Sequence, residues 1–451
     1  MSTTSAPAVS LSMKPPIHWT PIRRALVLAM LAIVAYLPVF RLPFVEDDYI
    51  LIPMARRYAA DHFAPLWHDV EFRTRALQVF WNAAVDHTFG YAPKPFFAAS
   101  ILLHVLCVLL VYALGVWAEF GFAASFWAAG FFAVYEGHQE AIMWPSGNSE
   151  LLVFLFGMSA WVCWMKWLRG PSGGAAWFAA AMAAFALALF SKESAWIVPL
   201  LMLMAALADR SRLRRALAGV LPFFAMAVVY AGWIWISRVA QPGYSDIRFS
   251  LDSPWPVVIA RSFWRMMFAW GIVAAAILAW IGGPEGRRKI AIAWAWMILG
   301  ILPYSFLTYS MELPSRSTYL ASAGLALLAG AAIEELWRNR RPALAATLAA
   351  LMLLANVEIL WVKKMAQFRE RTEPSELLKR VAAEAKGPVT IECTPLLPII
   401  AEVVVEQAGG RIASPQARRD QHCFLVQYTN AAGETVRIDR PVSAQKHGMF
   451  Y

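Results

Sequence analysis

Charge is what this sequence has least of. Only 16% of its 451 residues are Asp, Glu, Lys or Arg, 59% are hydrophobic, and the mean hydropathy is +0.51. A soluble chain of this length needs far more charge to cover its surface, so an ordinary soluble globular protein is excluded. Cysteine is scarce too, at four, which excludes a disulfide-dense secreted scaffold. Cys107 and Cys163 fall inside apolar runs and read as small hydrophobes. Glycine-rich phosphate loops, His/Cys metal spacings, nucleophile elbows and internal repeats are all missing. Nucleotide-dependent and serine-hydrolase chemistry therefore have no support in the sequence.

What is present is a series of long apolar runs through the first 360 residues. Each approaches the ~20 residues that carry a helix across a bilayer, where backbone polar groups must be satisfied within the segment. After the run 25–40 they fall at 96–117, 120–136, 150–168, 175–190, 194–208, 216–237, 266–283, 290–308, 318–336 and 343–361. The 21 Trp suit the lipid–water boundary. The expected fold is an all-α polytopic transmembrane helical bundle of about eleven spans, with a small C-terminal extracytoplasmic α/β domain.

The net charge of +10 is explained by placement, not by nucleic acid. Lys14, Arg23 and Arg24 precede the first span, and Lys166 and Arg169 follow the fourth. Arg210, Arg212, Arg214 and Arg215 follow the sixth, Arg287, Arg288 and Lys289 the eighth, and Arg338, Arg340 and Arg341 the tenth. All five clusters land on one side, which the positive-inside rule makes cytoplasmic. The N-terminus is then inside a plasma (inner) membrane and everything after Val362 is outside. The domains expected are a disordered cytoplasmic tail at 1–22, a transmembrane body at 23–361 with its first external loop at 43–95, and an external α/β domain at 362–451. In that last domain 374–385 and 396–407 read as helices, 388–393 as a strand, and 422–429 with 435–439 as a hairpin. Cys393 and Cys423 either pair as a disulfide there or stay as two buried thiols.

The external side gathers ionisable residues against the membrane, where they are costly and tend to mark function. Asp47 and Asp48 follow the first span, with Arg75 later in the same loop. His104 lies inside the second span, and a lone His there more often bonds helix to helix. His138 and Glu140 sit in the segment 137–149, Lys192 and Glu193 in a tight turn, and Arg261 and Arg265 on one helix face. Arg316 precedes the tenth span, one turn after Glu312, and a local ion pair between them is the plain reading. Cations at that depth suit a lipid phosphate, and a carboxylate beside them suits a base.

Several of these segments resemble one family. Phe44-Val45-Glu46-Asp47-Asp48 is similar to the Phe-Val-x-Asp-Asp pattern after the first helix of GT-C superfamily polytopic glycosyltransferases, nearest the TMTC-like protein O-mannosyltransferases and their bacterial relatives. Arg75-Ala76-Leu77, the stretch from Gly90 through Pro93 to His104, His138-Gln139-Glu140-Ala141-Ile142 with Ser146-Gly147, Ser191-Lys192-Glu193, and Arg316-Ser317-Thr318-Tyr319-Leu320 before Gly324 resemble later motifs of that branch, in order. The resemblance departs at Ser315, where the family has Glu, with Glu312 as its substitute, and in lacking tetratricopeptide repeats. It implies transfer of a hexose or pentose from a polyprenyl-phosphate donor to an acceptor hydroxyl on a glycan, lipid or protein. Asp47, then Asp48, would be the base, with Lys192 and Arg316 on the phosphate and Arg261 and Arg265 as further candidates. Glu140 could orient the acceptor or hold a divalent cation, although no metal-specific spacing supports one. A transporter or flippase of lipid-linked or anionic substrates is the alternative, and a scaffold presenting the external domain is a third reading.

Overall fold

The computed structural model describes residues 20–170, 174–208, 210–239, 250, 252–306, 311–413, 417–420 and 422–441. Most of the expected cytoplasmic tail, part of the external stretch 238–265, and residues 307–310 of the loop before Arg316 lie outside them. Helix α1 (Pro21–Tyr36) starts where a capping sequence predicts. The Thr20 hydroxyl accepts from the Arg23 amide, and Pro21 occupies the first turn. Pro38 and Pro43 then end it.

The segment 43–95, expected to be the first external loop, folds mainly as two helices, α2 (Asp48–Ala60) and α3 (Ala76–Phe89). The membrane body continues with α4 (Pro93–Ala113), α5 (Gly121–Val134), the single turn α6 (Gln139–Ile142), α7 (Asn148–Arg169), α8 (Ala175–Ser191), α9 (Val198–Ala208) and α10 (Leu213–Val239). After it come α11 (Trp255–Met267), α12 (Trp270–Ile281), α13 (Gly283–Ile301), α14 (Ser322–Arg338) and α15 (Pro342–Ile359). Each apolar run read from the sequence is helical over most of its length. Among the described residues, five stretches are long and apolar enough to cross a membrane: Pro21–Arg41, Pro93–Val116, Pro145–Arg169, Leu213–Ile236 and Pro342–Glu384. The pair α11 and α12, bent by 77° at Phe268–Ala269, makes a sixth if counted as one span. Gly121–Val134, Ala175–Leu189 and Glu193–Ala208 are apolar but shorter. The chain is a multi-pass membrane protein.

Small residues let the helices approach. A Cβ on Gly330 of α14 would run into the backbone of Ala124 and Ala128 on α5, so these two helices cross in near backbone contact, as bilayer helices do.

Helix α15 runs on through a π turn (Leu360–Lys364) into α16 (Met365–Glu384), eight or more residues ahead of the helix expected at 374. The tail then forms β1 (Thr390–Thr394), α17 (Pro398–Gln407), β2 (Arg418–Arg419), β3 (Cys423–Thr429) and β4 (Thr435–Pro441). The sheet order is β2-β1-β3-β4; β2 is parallel to β1, and the other neighbours are antiparallel. Strand β2 has no counterpart in the sequence reading, since two arginines carry no strand pattern. Phe424, Val426 and Tyr428 alternate inward on β3. Cys393 and Cys423 are joined as a disulfide.

The tail shares one core with the segment 44–96. Leu378, Val381, Val389, Ile391, Ile400 and Val404 pack against Phe44, Tyr49, Ile52, Val85 and Phe96. A unit of this size is marginal alone, and its apolar face is covered by the start of the chain. That docking carries α16 onto the loop that bears Asp47.

Candidate active site

The site is built around the turn that leads into α2. Glu46 takes a left-handed backbone, φ 42°, which non-glycine residues seldom adopt and which turns the chain sharply ahead of the helix. Asp48 points inward and is wholly buried. It accepts from the amides of Val45, 2.9 Å, and Ser146, 2.8 Å, and from the Ser146 hydroxyl. Burial pushes its pKa up to about 7, against the lowering by those hydrogen bonds. Asp48 thus fastens the α2 turn to the segment 145–147. Gly147 permits that segment to lie on the backbone of Glu140, since a Cβ there would come 2.5 Å from the Glu140 carbonyl oxygen.

Asp47, the helix N-cap, makes no capping bond and is only half-buried. Burial and then the neighbouring Glu46 raise its pKa to about 6, while Arg316, Arg371 and Arg419 pull it back. Beside it Glu46 and Glu140 pair with the guanidiniums of Arg371 and Arg316. Arg371 of α16 grips Glu46 through two bonds of 3.0 Å and reaches Glu140 at 3.6 Å. Glu140 also accepts from the Ser315 hydroxyl, 3.0 Å, and the Arg316 amide, 3.2 Å, with the Arg316 guanidinium 4.0 Å away. Both guanidiniums lie 4.7 Å from the centre of the Trp144 ring, whose indole N–H donates to the Val45 carbonyl. Burial raises the Glu140 pKa, but Arg316 and Arg371 more than offset it and hold the carboxyl below its usual range.

A second charged group lies on the same spine. Glu150, in the first turn of α7, is buried and takes Lys192 at 2.5 Å and the Tyr304 hydroxyl. Arg75 grips Glu193 through bonds of 2.8 and 3.2 Å. The segment 140–150 therefore carries a residue of the first cluster at one end and of the second at the other.

The histidines sit deeper. His104 is buried between the Tyr319 hydroxyl, 2.7 Å, and the Ala133 carbonyl, 3.1 Å. His138 bonds the Ser322 hydroxyl at 2.7 Å and packs on Phe132 and Tyr319. They tie α4, α5 and α14 together beneath the carboxylates. Arg261 is exposed on α11, and Arg265 turns to Glu312 at 2.7 Å and to the Leu313 carbonyl at 2.5 Å. The local Arg316–Glu312 pair expected from spacing is thus replaced: Arg316 faces Glu140, and Glu312 faces Arg265. Among the described residues, no group of three or more His, Cys, Asp or Glu side chains is arranged to hold a metal ion.

Sequence reasoning passed over Arg371, Trp144, Glu150 and Tyr304. Arg371 had a readable signal. On α16 the buried positions Met365, Phe368, Arg371, Thr372, Ser375, Leu378 and Val381 follow helical spacing, so this arginine falls on the inward stripe.

No family model and no curated protein matches the chain. Solved structures do. ArnT from Cupriavidus metallidurans bound to undecaprenyl phosphate superposes with a TM-score of 0.51 at 14% identity, over 86% of this chain and 85% of that one. The chain shares the fold of that protein. The archaeal oligosaccharyltransferase AglB from Archaeoglobus fulgidus, in complex with an inhibitory peptide and a dolichol-phosphate, matches with a TM-score of 0.53 at 13% identity. That match covers 81% of this chain and 58% of AglB, so the chain spans a little over half of that protein's length.

Proposed function

We propose that this protein is a glycosyltransferase that moves a sugar, a hexose or pentose, from a polyprenyl-phosphate donor to an acceptor hydroxyl at the external face of the plasma (inner) membrane. The observation that carries the reading is the half-buried Asp47, its pKa raised to about 6 by burial, set among Arg316, Arg371 and Glu140 at one end of the bundle. The two solved neighbours, each with a polyprenyl phosphate in its structure, support the donor class.

The chemistry follows from the side chains. The acceptor O–H gives its proton to the Asp47 carboxylate as its oxygen bonds to the anomeric carbon. The bond from that carbon to the phosphate oxygen breaks, and the electron pair leaves on the phosphate. Phosphate needs its charge stabilised more than it needs a proton, and the Arg316 guanidinium, partly open to solvent, is placed for that. Asp48, with both oxygens engaged, holds the turn and leaves Asp47 as the base. Lys192, paired with Glu150, contributes to the phosphate side only if that pair opens to the donor.

The test is a screen of purified protein against a panel of polyprenyl-phosphate sugars, scored by donor hydrolysis or transfer, with two variants. Asp47→Asn should bind donor normally and lose about 10²–10⁴-fold in single-turnover rate, as expected for a missing base. Arg316→Met should lose donor affinity and rate together. Transfer by Asp47→Asn at the wild-type rate overturns the assignment of the base. Normal binding and transfer by both variants overturns the site, and donor binding with no hydrolysis or transfer by the wild-type protein favours a transporter of lipid-linked or anionic substrates.

A further inference from the structure

We infer that Arg371, carried in from the C-terminal tail, is a positioning residue of the site: it neutralises Glu46 and Glu140, so that Asp47 alone remains as the open carboxylate facing Arg316. The inference rests on the glycosyltransferase reading for its functional meaning, but its electrostatics can be measured without a substrate.

The geometry is specific. Arg371 is only 8% exposed, too deep to serve as a surface charge, and its pairing with Glu46 joins residues 325 apart in sequence. Its Nε and Nη2 each sit 3.0 Å from a different Glu46 oxygen, and Nη1 turns to Glu140 at 3.6 Å. Trp144 and Phe368 flank the guanidinium, at 4.7 and 5.0 Å from their ring centres. A planar guanidinium held on four sides is fixed in orientation. It belongs to the element whose Leu378 and Val381 dock the tail on the segment 44–96, so the charge arrives only with the tail in place.

The charge balance says what it does. Asp47 is faced by Glu46 and Asp48 on its own loop, Glu140 on α6, Arg316 beside α14, Arg371 on α16 and Arg419 on β2. Without Arg371, Asp47 loses a neighbouring cation, and Glu46, its partner gone, repels a negative Asp47. A larger share of Asp47 would then hold its proton at neutral pH, and that share could not accept one from an acceptor. The sign is that of any carboxylate losing a nearby cation: its pKa rises.

The experiment is a carboxyl-stretch infrared titration of the purified full chain, with the Asp47 band assigned as the one lost in Asp47→Asn. In Arg371→Met the Asp47 midpoint should rise by about one pH unit or more, and in Arg371→Lys it should stay near wild type. In Glu46→Gln it should fall, because the acid neighbour is gone while the guanidinium remains. The transfer rate should show the same moves in its acid limb, and Arg371→Met should regain rate at higher pH, which a merely structural loss would not do. If Arg371→Met does not fold, Glu46→Gln decides alone. An unmoved midpoint in either folded variant overturns the inference. Failure of the glycosyltransferase reading is seen separately, as absence of hydrolysis or transfer from every donor by the wild-type protein, whatever the titration gives.

Discussion

At the scale of single residues, adjacent carboxylates can be driven to different ends by what reaches their oxygens. Asp48 meets two amides and a hydroxyl and is sealed, whereas Asp47 meets only charges across a gap. With its pKa near 6, Asp47 is ionised at neutral pH, and a rate that needs it as a base should fall as the pH drops through that value. Lys192 poses a different question. Removing one partner of a buried ion pair leaves an uncompensated charge and costs about 3 kcal/mol or more. Lys192→Met should therefore lower thermal stability, since Glu150 is only 3% exposed, and the double variant with Glu150→Gln should recover most of it. Measuring donor affinity on that double variant separates the two roles. Restored binding makes Lys192 a structural partner, and persistent loss makes it a ligand of the phosphate.

At the scale of elements, the site is made where α2, the segment 140–150, the turn before α14 and α16 meet, and no one of them contains it. One of these joins is the docking of the tail, in which α17 and the sheet cover their apolar side with residues of the segment 44–96. Ile52 is fully buried in that join. Truncating a buried isoleucine costs about 2–5 kcal/mol. Ile52→Ala should loosen the tail, seen as faster limited proteolysis beyond Glu384, with transfer falling in step because Arg371 leaves with α16. Unchanged proteolysis would mean that other contacts hold the tail. The Cys393–Cys423 disulfide works within the tail, joining β1 to the start of β3, and does not replace this docking.

At the scale of the whole molecule, charge is sorted between the two ends of the bundle. Opposite Asp47, arginines donate to carbonyls that helix ends leave unpaired: Arg212 to Leu168, Arg215 to Trp167 and Gly170, Arg288 to Ala208. Arg288 also pairs with Glu119 at 2.9 Å. The loops after α4, α7 and α9 and the start of α13 therefore meet at one end, and from the positive-inside rule we propose that this end is cytoplasmic. The matching expectation is that a cysteine placed at Glu373 reacts with a membrane-impermeant thiol reagent in intact cells, while one placed at Arg338 reacts only after permeabilisation. The reverse pattern would invert the orientation and move the proposed chemistry to the other face.

The sequence by itself determined most of the helices and most of the tail's strands, because each depends on local pattern: an apolar run of bilayer length, alternation along a strand. It also singled out Asp47, Asp48, Glu140, Lys192 and Arg316, since ionisable residues against apolar runs stand out anywhere they occur. The partners of those charges were decided only by tertiary structure. Spacing along a helix suggested Glu312 for Arg316, yet packing turned Glu312 to Arg265 and Arg316 to Glu140. Arg371 reads as one more charge in a polar helix until the fold lays that helix on Glu46. An ion pair forms wherever the backbone brings two charges within reach. That is a property of how distant helices pack, and local periodicity records only which face of each helix turns inward.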